Sequence, residues 1–173
     1  IGMGETIMDI IFRGGPPRAA VHGGSSFNSI VSVGRAGVPC VFVGDTGADI
    51  VGRQTLDFMR ANHVETAYCP MRPDVKSAVS LAYLNDEGDA SYVFYKQEPK
   101  APAQWKLPRV NAGDVLLFGS YYASCRGMRP LVEDMLGQAT HGGAVVYYDI
   151  NFRSSHSHER DALMPAIQDN CRL

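Results

Sequence analysis

The sequence predicts an α/β fold, in which a mostly parallel sheet is flanked by helices and carries a small inserted hairpin. Three observations support that prediction. Short apolar, β-rich runs alternate with helical patterns along most of the 173 residues, which is typical of a parallel sheet covered on both faces. Two strand-like runs, 77–84 and 90–95, flank the polar turn 85–89 and predict a hairpin. A segment with three prolines, 97–108, then predicts a loop before the alternation returns.

The other elements are predicted from apolar periodicity and from the residues that end each run. Residues 7–12 are short and apolar and predict the first buried strand. In the helix that follows, Ser25 or Ser26 is a natural N-cap and Gly37 predicts the end. The apolar face of that helix carries Phe27, Ile30, Val31 and Gly34. Further strands are predicted at 40–43, 115–118 and 144–148, and further helices at 51–62 and 128–139.

Composition indicates an ordinary globular protein and excludes several classes of function. The chain is 45% hydrophobic and 20% charged, with a formal net charge of −2. It therefore has no electrostatic footprint for nucleic acid or for an anionic membrane. No apolar run approaches the roughly 20 residues of a membrane span, and the first residues lack the features of a signal peptide, so a cytoplasmic protein is expected. The four cysteines lie far apart and are predicted to be small buried thiols in a reducing compartment.

Several common catalytic and cofactor motifs are missing. The sequence contains no P-loop and no nucleophile elbow, and its first glycines lack the third glycine of a dinucleotide fingerprint. His156 and His158 stand two residues apart among serines and are interpreted as a polar loop rather than a metal pair. The turn 44–49 is interpreted mainly as structure, with Asp45 and Asp49 as turn and cap residues.

A first group of candidate ligand-binding residues lies around the start of the first helix. Gly23 and Gly24 bring bare backbone to a helix N-terminus, which suits oxygen-rich ligands. Asn28, one turn into the helix, offers the donor and the acceptor that a sugar hydroxyl requires. Asp9 lies near the end of the first predicted strand, and ligands of open α/β sheets bind outside the carboxyl ends of strands. Taken alone, these residues are also compatible with a tight turn, an ordinary cap and a solvated carboxylate.

A second group follows the last predicted strand. Asp149-Ile150-Asn151-Phe152-Arg153 comes directly after that strand, so its polar side chains are expected in the crevice at the carboxyl edge of the sheet. Arg153 is suited to hold a carboxylate or a phosphate through two parallel hydrogen bonds. Lys96, at the end of the hairpin, is a second candidate cation. A surface salt bridge for Arg153 and a solvated side chain for Lys96 remain open as alternatives.

Together these segments resemble the ribokinase (PfkB) family of carbohydrate kinases. Residues 23–64 resemble the N-terminal signature of that family, with its double glycine, its asparagine, its Gly-Asp-x-Gly-x-Asp turn and the glycine that opens the next helix. The sequence DINFR at 149–153 is similar to the DxNxR segment of the fructokinase and 2-keto-3-deoxygluconate kinase branch. The resemblance implies a ribokinase-like fold with a small β-lid, whose strands are inserted at about 12–22 and 75–98.

The resemblance also implies ATP-dependent phosphorylation of a sugar or sugar-acid hydroxyl, with Mg²⁺. A two-stranded ribbon alone is marginal in water, so the hairpin needs another strand or a partner, and a homodimer joined through the lids is expected. Tyr95 and Lys96 are implied to close over the sugar, and Asn151 and Arg153 to face an acid group or the transferred phosphate. The residues implied to bind the substrate are Asp9, Gly23, Gly24, Asn28, Tyr95, Lys96 and Arg153.

One departure from the family pattern is large. The second signature of the family, a Gly-Ala-Gly-Asp segment, is absent from the sequence. Its aspartate is the general base and its backbone N–H groups stabilise the transition state, and phosphoryl transfer depends on such positioning and charge stabilisation. Residues 1–173 are therefore expected to be the N-terminal part of a kinase, without the ATP-binding part and without turnover of their own. The alternatives are a non-catalytic sugar-binding or regulatory protein on the same half-fold and, further behind, a nucleoside kinase.

Overall fold

The computed structural model describes residues 1–172, apart from the side chains of Ser154 and Ser155; Leu173, the last residue of the predicted domain, lies outside the described residues. The strands are β1 (Gly2–Met3), β2 (Ile7–Phe12), β3 (Pro17–Gly23), β4 (Cys40–Val43), β5 (Thr46–Gly47), β6 (Val64–Glu65), β7 (Met71–Arg72), β8 (Ala78–Leu84), β9 (Ala90–Tyr95), β10 (Val115–Gly119) and β11 (Val145–Asp149). The helices are α1 (Ser25–Arg35), α2 (Ile50–Ala61), α3 (Ser120–Ser124), α4 (Arg129–Gly142) and α5 (Arg160–Asn170), with 3-10 turns at Arg126–Met128 and Ser154–Glu159. Within residues 1–172, no helix has both the length and the apolar character needed to cross a lipid bilayer.

A five-stranded parallel sheet forms the centre of the fold, in the order β11-β10-β1-β4-β6. Because neighbouring residues of a strand point to opposite faces, the sheet supports two apolar cores. Met3, Val43 and Leu116 pack with the residues of α3 and α4 in one of them. Phe42 packs with the apolar faces of α1 and α2 in the other. This is the helix-flanked parallel sheet that the sequence predicts.

A second sheet, which we call the lid, has the strand order β3-β2-β8-β9. β2 runs parallel to β8, and the two outer pairs are antiparallel. The prediction that residues 7–12 form a buried strand of the central sheet is wrong, because the short β1 occupies that place and β2 belongs to the lid. An apolar run of this length does not by itself show which sheet a strand joins. The first lid segment therefore begins at residue 7 rather than at about 12.

The start of α1 also differs from the prediction. Gly24, and not Ser25 or Ser26, is the N-cap residue, and no side chain caps the helix. Ser25 instead donates to Asp149 Oδ2 at 3.3 Å, and Ser26 is buried. The first turn of α1 therefore presents backbone N–H groups rather than a serine hydroxyl at its N-terminus.

The cysteines are buried as predicted, with one exception. Cys40, Cys69 and Cys125 are buried free thiols, but Cys171 is exposed. It is the residue that directly follows α5. Burial raises the pKa of the Cys69 thiol to about 12, so this thiol is inert at neutral pH.

Candidate functional site

A cavity of about 710 Å³ lies between the carboxyl edge of the central sheet, the N-terminus of α1 and the lid. Ligands of open α/β sheets bind at this edge. Residues from six parts of the chain converge on it: the segment from β1 into β2, the start of α1, the strand β9, α3, the segment after β11, and α5. The predicted site residues that line it are Asp9, Gly24, Asn28, Lys96, Asn151 and Arg153.

Asp9, Gly24 and Asn28 form the polar wall of this cavity. Asp9 is on β2 of the lid and not at the end of a central strand, but it still faces the cavity. Asn28 is exposed and begins the second turn of α1, where its backbone N–H donates to the Gly24 carbonyl at 2.9 Å. The sequence therefore predicts correctly that Asp9 and Asn28 lie in one crevice. It places the strand that carries Asp9 in the wrong sheet.

The chain path at Gly24 requires a glycine. Its φ of 128° and ψ of 143° lie in a region of backbone conformation that residues other than glycine rarely adopt. A Cβ atom there would lie 2.3 Å from the Glu5 carbonyl oxygen and 3.1 Å from the Phe27 Cβ. The close approach of residues 5 and 24 places the β1–β2 connection directly beside the N-terminus of α1, and both line the cavity. Gly23 is buried and is not among the lining residues.

Lys96 lines the cavity but is already paired. Its ammonium group lies 2.9 Å from both carboxylate oxygens of Glu5, and the two side chains are 14% and 23% exposed. It also lies 5.4 Å from the ring centroid of Tyr121 and 5.5 Å from that of Phe94. Lys96 therefore joins the exit of the lid to the β1–β2 connection, and Glu5 neutralises much of its charge.

Tyr95, which the family resemblance implies in the site, lies outside the cavity lining and is 62% exposed. Strand alternation explains the difference, since residues two apart share a face. Tyr92 and Phe94 line the cavity and stack on each other, with ring centroids 5.8 Å apart. Tyr95 lies between Phe94 and Lys96 in sequence and points to the opposite face of the lid.

Two residues at the carboxyl edge have unusual backbone conformations. Ser120, directly after β10, has a φ of 51°, and Asn151, two residues after β11, has a φ of 39°. Both line the cavity. Left-handed conformations of residues other than glycine are uncommon and cluster at ligand sites. Nothing in the sequence marks Ser120, whereas Asn151 is predicted from its place after the strand.

Arg153 is exposed and lines the cavity. Within residues 1–172, its guanidinium forms no salt bridge. The alternative of a surface ion pair is therefore not observed among the described side chains. Because Lys96 is paired with Glu5, Arg153 is the cation of the cavity wall that has both its charge and its planar fork open to a ligand.

Sequence reasoning missed a junction centred on Tyr121 of α3. The Tyr121 hydroxyl lies 2.7 Å from Glu98 Oε1 and 3.1 Å from Glu159 Oε2. A phenol has one proton, so it donates to one carboxylate at a time. Burial, together with these two carboxylates, raises the pKa of Tyr121 far above its ordinary value. The hydroxyl links Glu98, in the segment after β9, to Glu159, in the segment after Arg153. These partners are 23 and 38 residues away in sequence, so no local pattern reveals them.

His156 belongs to this junction and not to a free polar loop. Its ring stacks on Tyr121 with a centroid distance of 4.1 Å, and its Nδ1 is buried without a hydrogen-bond partner in the described part of the chain. Burial, with the nearby Lys96 charge, lowers the pKa of His156 below 6.5. His158 is 71% exposed and lies 3.1 Å from Glu159, so the two histidines do not form a metal pair.

Asp49 fixes the root of the lid to the central domain. It caps α2 by accepting from the Gly52 N–H at 2.9 Å, and it accepts from both the N–H and the hydroxyl of Ser77, just before β8. Burial opposes its ionisation, but these hydrogen bonds outweigh burial and lower the pKa of Asp49. The structural interpretation of the turn 44–49 therefore holds.

The Gly-Ala-Gly-Asp sequence that the resemblance associates with the general base does not occur in residues 1–173. The one Ala-Gly-Asp sequence of the chain, at 112–114, precedes β10 and so lies at the amino edge of the sheet, opposite the cavity. Among residues 1–172, no group of three His, Cys, Asp or Glu side chains is arranged to hold a metal ion.

Comparison with known protein families identifies the family to which this chain belongs. The family model of pfkB family carbohydrate kinases matches residues 17–170. The chain belongs to that family. Its membership confirms the resemblance inferred from residues 23–64 and 149–153, and the similarity to solved structures confirms the ribokinase-like fold.

The relatives are sugar and riboside kinases. The chain is 24% identical over 165 residues to fructokinase-2 of Solanum lycopersicum, covering 88% of this chain and 50% of that protein. It is 26% identical over 174 residues to aminoimidazole riboside kinase of Salmonella typhimurium, covering 99% of this chain and 54% of that protein. The chain thus spans about half the length of the curated relatives it matches.

Solved structures show the same fold. The fructokinase of Vibrio cholerae O395, bound to fructose, ADP and a calcium ion, superposes with a TM-score of 0.84 at 21% identity, covering 97% of this chain and 55% of that one. The aminoimidazole riboside kinase of Salmonella enterica, complexed with aminoimidazole riboside and an ATP analogue, superposes with a TM-score of 0.80 at 23% identity, covering 98% and 56%.

Proposed function

We propose that this chain forms the sugar-binding part of a kinase that transfers a phosphoryl group from ATP to a hydroxyl of a small sugar or sugar acid. The observation that carries the proposal is the convergence of Asp9, Gly24 and Asn28 on one cavity at the carboxyl edge of the sheet. Membership of the carbohydrate kinase family supports the reaction type.

The polar wall suits a ligand with several hydroxyl groups. A carboxylate such as Asp9 accepts hydrogen bonds from two hydroxyls, and the Asn28 amide both donates and accepts. Gly24 has no side chain, so a ligand can reach backbone N–H groups at the start of α1, which favour electron-rich oxygen. On the same face of the lid as Asp9, Tyr92 and Phe94 offer apolar ring surface for the C–H face of a sugar.

Arg153 supplies the positive charge in the proposal. Its guanidinium is suited to hold either the acid group of a sugar acid or an oxygen of the transferred phosphoryl group. Asn151, held in the left-handed conformation two residues earlier, lines the same wall. Lys96 is proposed to hold the lid in place through Glu5 rather than to bind the substrate directly.

We further propose that the general base and the groups that hold ATP and Mg²⁺ belong to a part of the protein beyond these 173 residues. The position of the only Ala-Gly-Asp sequence, at the amino edge of the sheet, supports this proposal. So does β11, an edge strand of the sheet whose Val145 and Tyr147 are each 61% exposed. Relatives solved with ATP analogues or ADP support ATP as the phosphoryl donor.

The test is ATP consumption, measured for the full-length protein and for the 173-residue chain against fructose, ribose and 2-keto-3-deoxygluconate. The full-length protein is expected to phosphorylate at least one of them, and the chain alone none. Losing a positioned base costs about 10²–10⁴ in rate, and losing backbone anion stabilisation about 10²–10³ more. Turnover by the chain at an ordinary kinase rate would refute the assignment of the base. A full-length protein that binds a sugar without phosphorylating any would favour a non-catalytic sugar-binding protein.

We also propose that two copies of the protein associate through their lids. The face of the lid that points away from the cavity carries Tyr83, Val93 and Tyr95, which are all exposed, together with Phe12 stacked on Tyr83 at 4.9 Å. An uncharged apolar face is complementary to a second copy of itself. Sedimentation velocity at micromolar concentration is expected to show a dimer that Val93→Asp dissociates. A monomeric parent protein would rule the dimer out.

A further inference from the structure

We propose that Ser80 is a positioning residue that turns the Asp9 carboxylate toward the cavity, and that Gly23 provides the space that this orientation requires. The inference rests on the proposed function, because it assumes that Asp9 binds the sugar. Neither Ser80 nor Gly23 lines the cavity, so both would act on the ligand through Asp9.

Ser80 is placed to hold one oxygen of Asp9. The two residues are directly opposite each other in the parallel pair β2–β8, and the Ser80 hydroxyl donates to Asp9 Oδ1. Ser80 is 0% exposed, and this is its side-chain hydrogen bond within residues 1–172. Ala82, two residues further along the same face of β8, is buried and purely apolar. Burying a hydroxyl costs free energy unless it is hydrogen-bonded, so packing alone does not explain a serine at position 80.

Gly23 leaves room for the other oxygen. It lies on β3, on the other side of β2 from Ser80, and pairs with Ile7. A Cβ atom on Gly23 would lie 2.7 Å from Asp9 Oδ2 and 3.5 Å from the Asp9 carboxyl carbon. Gly23 does not have a positive φ, so its contribution here is space rather than backbone freedom.

Together the two residues fix the orientation of the carboxylate. Ser80 holds Oδ1, and the gap at Gly23 accommodates Oδ2, which accepts no hydrogen bond from the described side chains. Oδ2 is therefore the oxygen that remains for a sugar hydroxyl. A ligand that binds a carboxylate already held in place does not have to order it, so removing either support is expected to weaken sugar binding roughly three- to tenfold.

The test measures the dissociation constants of fructose, ribose and 2-keto-3-deoxygluconate by isothermal titration calorimetry, together with the midpoint of urea unfolding. Ser80→Ala and Gly23→Ala are each expected to raise the dissociation constant of the sugar that the parent protein binds by three- to tenfold. Ser80→Cys, which keeps the size and a weak donor, is expected to fall between parent and Ser80→Ala. The matched control is Ser77→Ala, which also removes a serine-to-aspartate hydrogen bond, to Asp49 at 2.7 Å. It is expected to lower the unfolding midpoint but to change the constant less than twofold.

A crystal structure of the Ser80→Ala protein gives a second measurement that needs no ligand. The Asp9 carboxylate is expected to leave its position by more than 1 Å, and an unmoved carboxylate would overturn the proposal. An unchanged sugar affinity in both alanine variants would overturn it too, while the sugar site itself would stand. If the parent protein binds none of the three sugars, the proposed function fails instead, and the position of Asp9 in the variant still decides the role of Ser80.

Discussion

Replacing Gly24 by alanine tests how the N-terminus of α1 is built. The new Cβ would lie 2.3 Å from the Glu5 carbonyl oxygen, and the residue would have to keep a φ of 128°. Such a backbone conformation costs about 1–3 kcal/mol for a residue other than glycine. Forcing an atom into a filled space costs about 1–3 kcal/mol more. We therefore expect Gly24→Ala to lower the free energy of unfolding by roughly 2–6 kcal/mol, a large part of the 5–15 kcal/mol typical of a domain.

Gly37→Ala is the matched control. Gly37 also has a positive φ, of 79°, but no atom lies within 4 Å of its Cβ position, so only the backbone cost of about 1–2 kcal/mol applies. Urea unfolding followed by circular dichroism measures both variants. With a slope of about 2 kcal/mol per molar urea, a loss of 4 kcal/mol would lower the midpoint by about 2 M. If Gly24→Ala lost no more stability than Gly37→Ala, the close contact between residues 5 and 24 would not exist in solution.

Three further predictions concern ionisable side chains. Hydrogen bonds lower the pKa of Asp49 below 3.8 despite the burial of its carboxylate. The stability that ionised Asp49 contributes is therefore complete above pH 3.8 and is lost as the pH falls through the folded-state pKa. Asp49→Asn is expected to flatten the acid side of the stability profile between pH 2 and 5. Burial and the charge of Lys96 lower the pKa of His156 below 6.5, so the folded state favours the neutral ring and the free energy of unfolding falls as the pH drops below 6.5. His156→Gln is expected to remove this decline when it is compared with the parent protein by urea unfolding between pH 5 and 8. An equal decline in both proteins would contradict the prediction. Arg153→Lys is expected to lower kcat/KM of the full-length protein about tenfold in a coupled ATP assay, because lysine lacks the planar fork of arginine. Arg160 is another exposed arginine, and Arg160→Lys is expected to have no effect in the same assay. Equal activity of the two variants would argue against a ligand contact of Arg153.

Local patterns were sufficient to predict α1, α2, α4 and most of the longer strands, together with much of the cavity wall. The apolar spacing of Phe27, Ile30 and Val31 identified the buried face of α1, because that face repeats with the helical period. The positions of Asn28 and Arg153 followed from their places at a helix start and after a strand. In both cases the information lies within a few residues of the chain.

Long-range partners could not be predicted in this way. Lys96 is neutralised by Glu5, 91 residues earlier, and no spacing rule relates them. The assignment of residues 7–12 to the central sheet failed for a similar reason, since the partner strand determines the sheet to which a strand belongs. The exclusion of Tyr95 is different, because strand alternation, applied to the predicted hairpin, would have placed Tyr92 and Phe94 on the face opposite Tyr95.

The central claim is that Asp9, Gly24 and Asn28 together bind a sugar. The most direct measurement is a ¹H–¹⁵N NMR titration of the isotopically labelled chain with fructose, ribose and 2-keto-3-deoxygluconate. For at least one of them, we expect saturable shifts that cluster at the backbone amides of residues 9, 24 and 28 and at the side-chain amide of Asn28. Shifts confined to other parts of the molecule, or no saturable shift with any of the three, would contradict the claim.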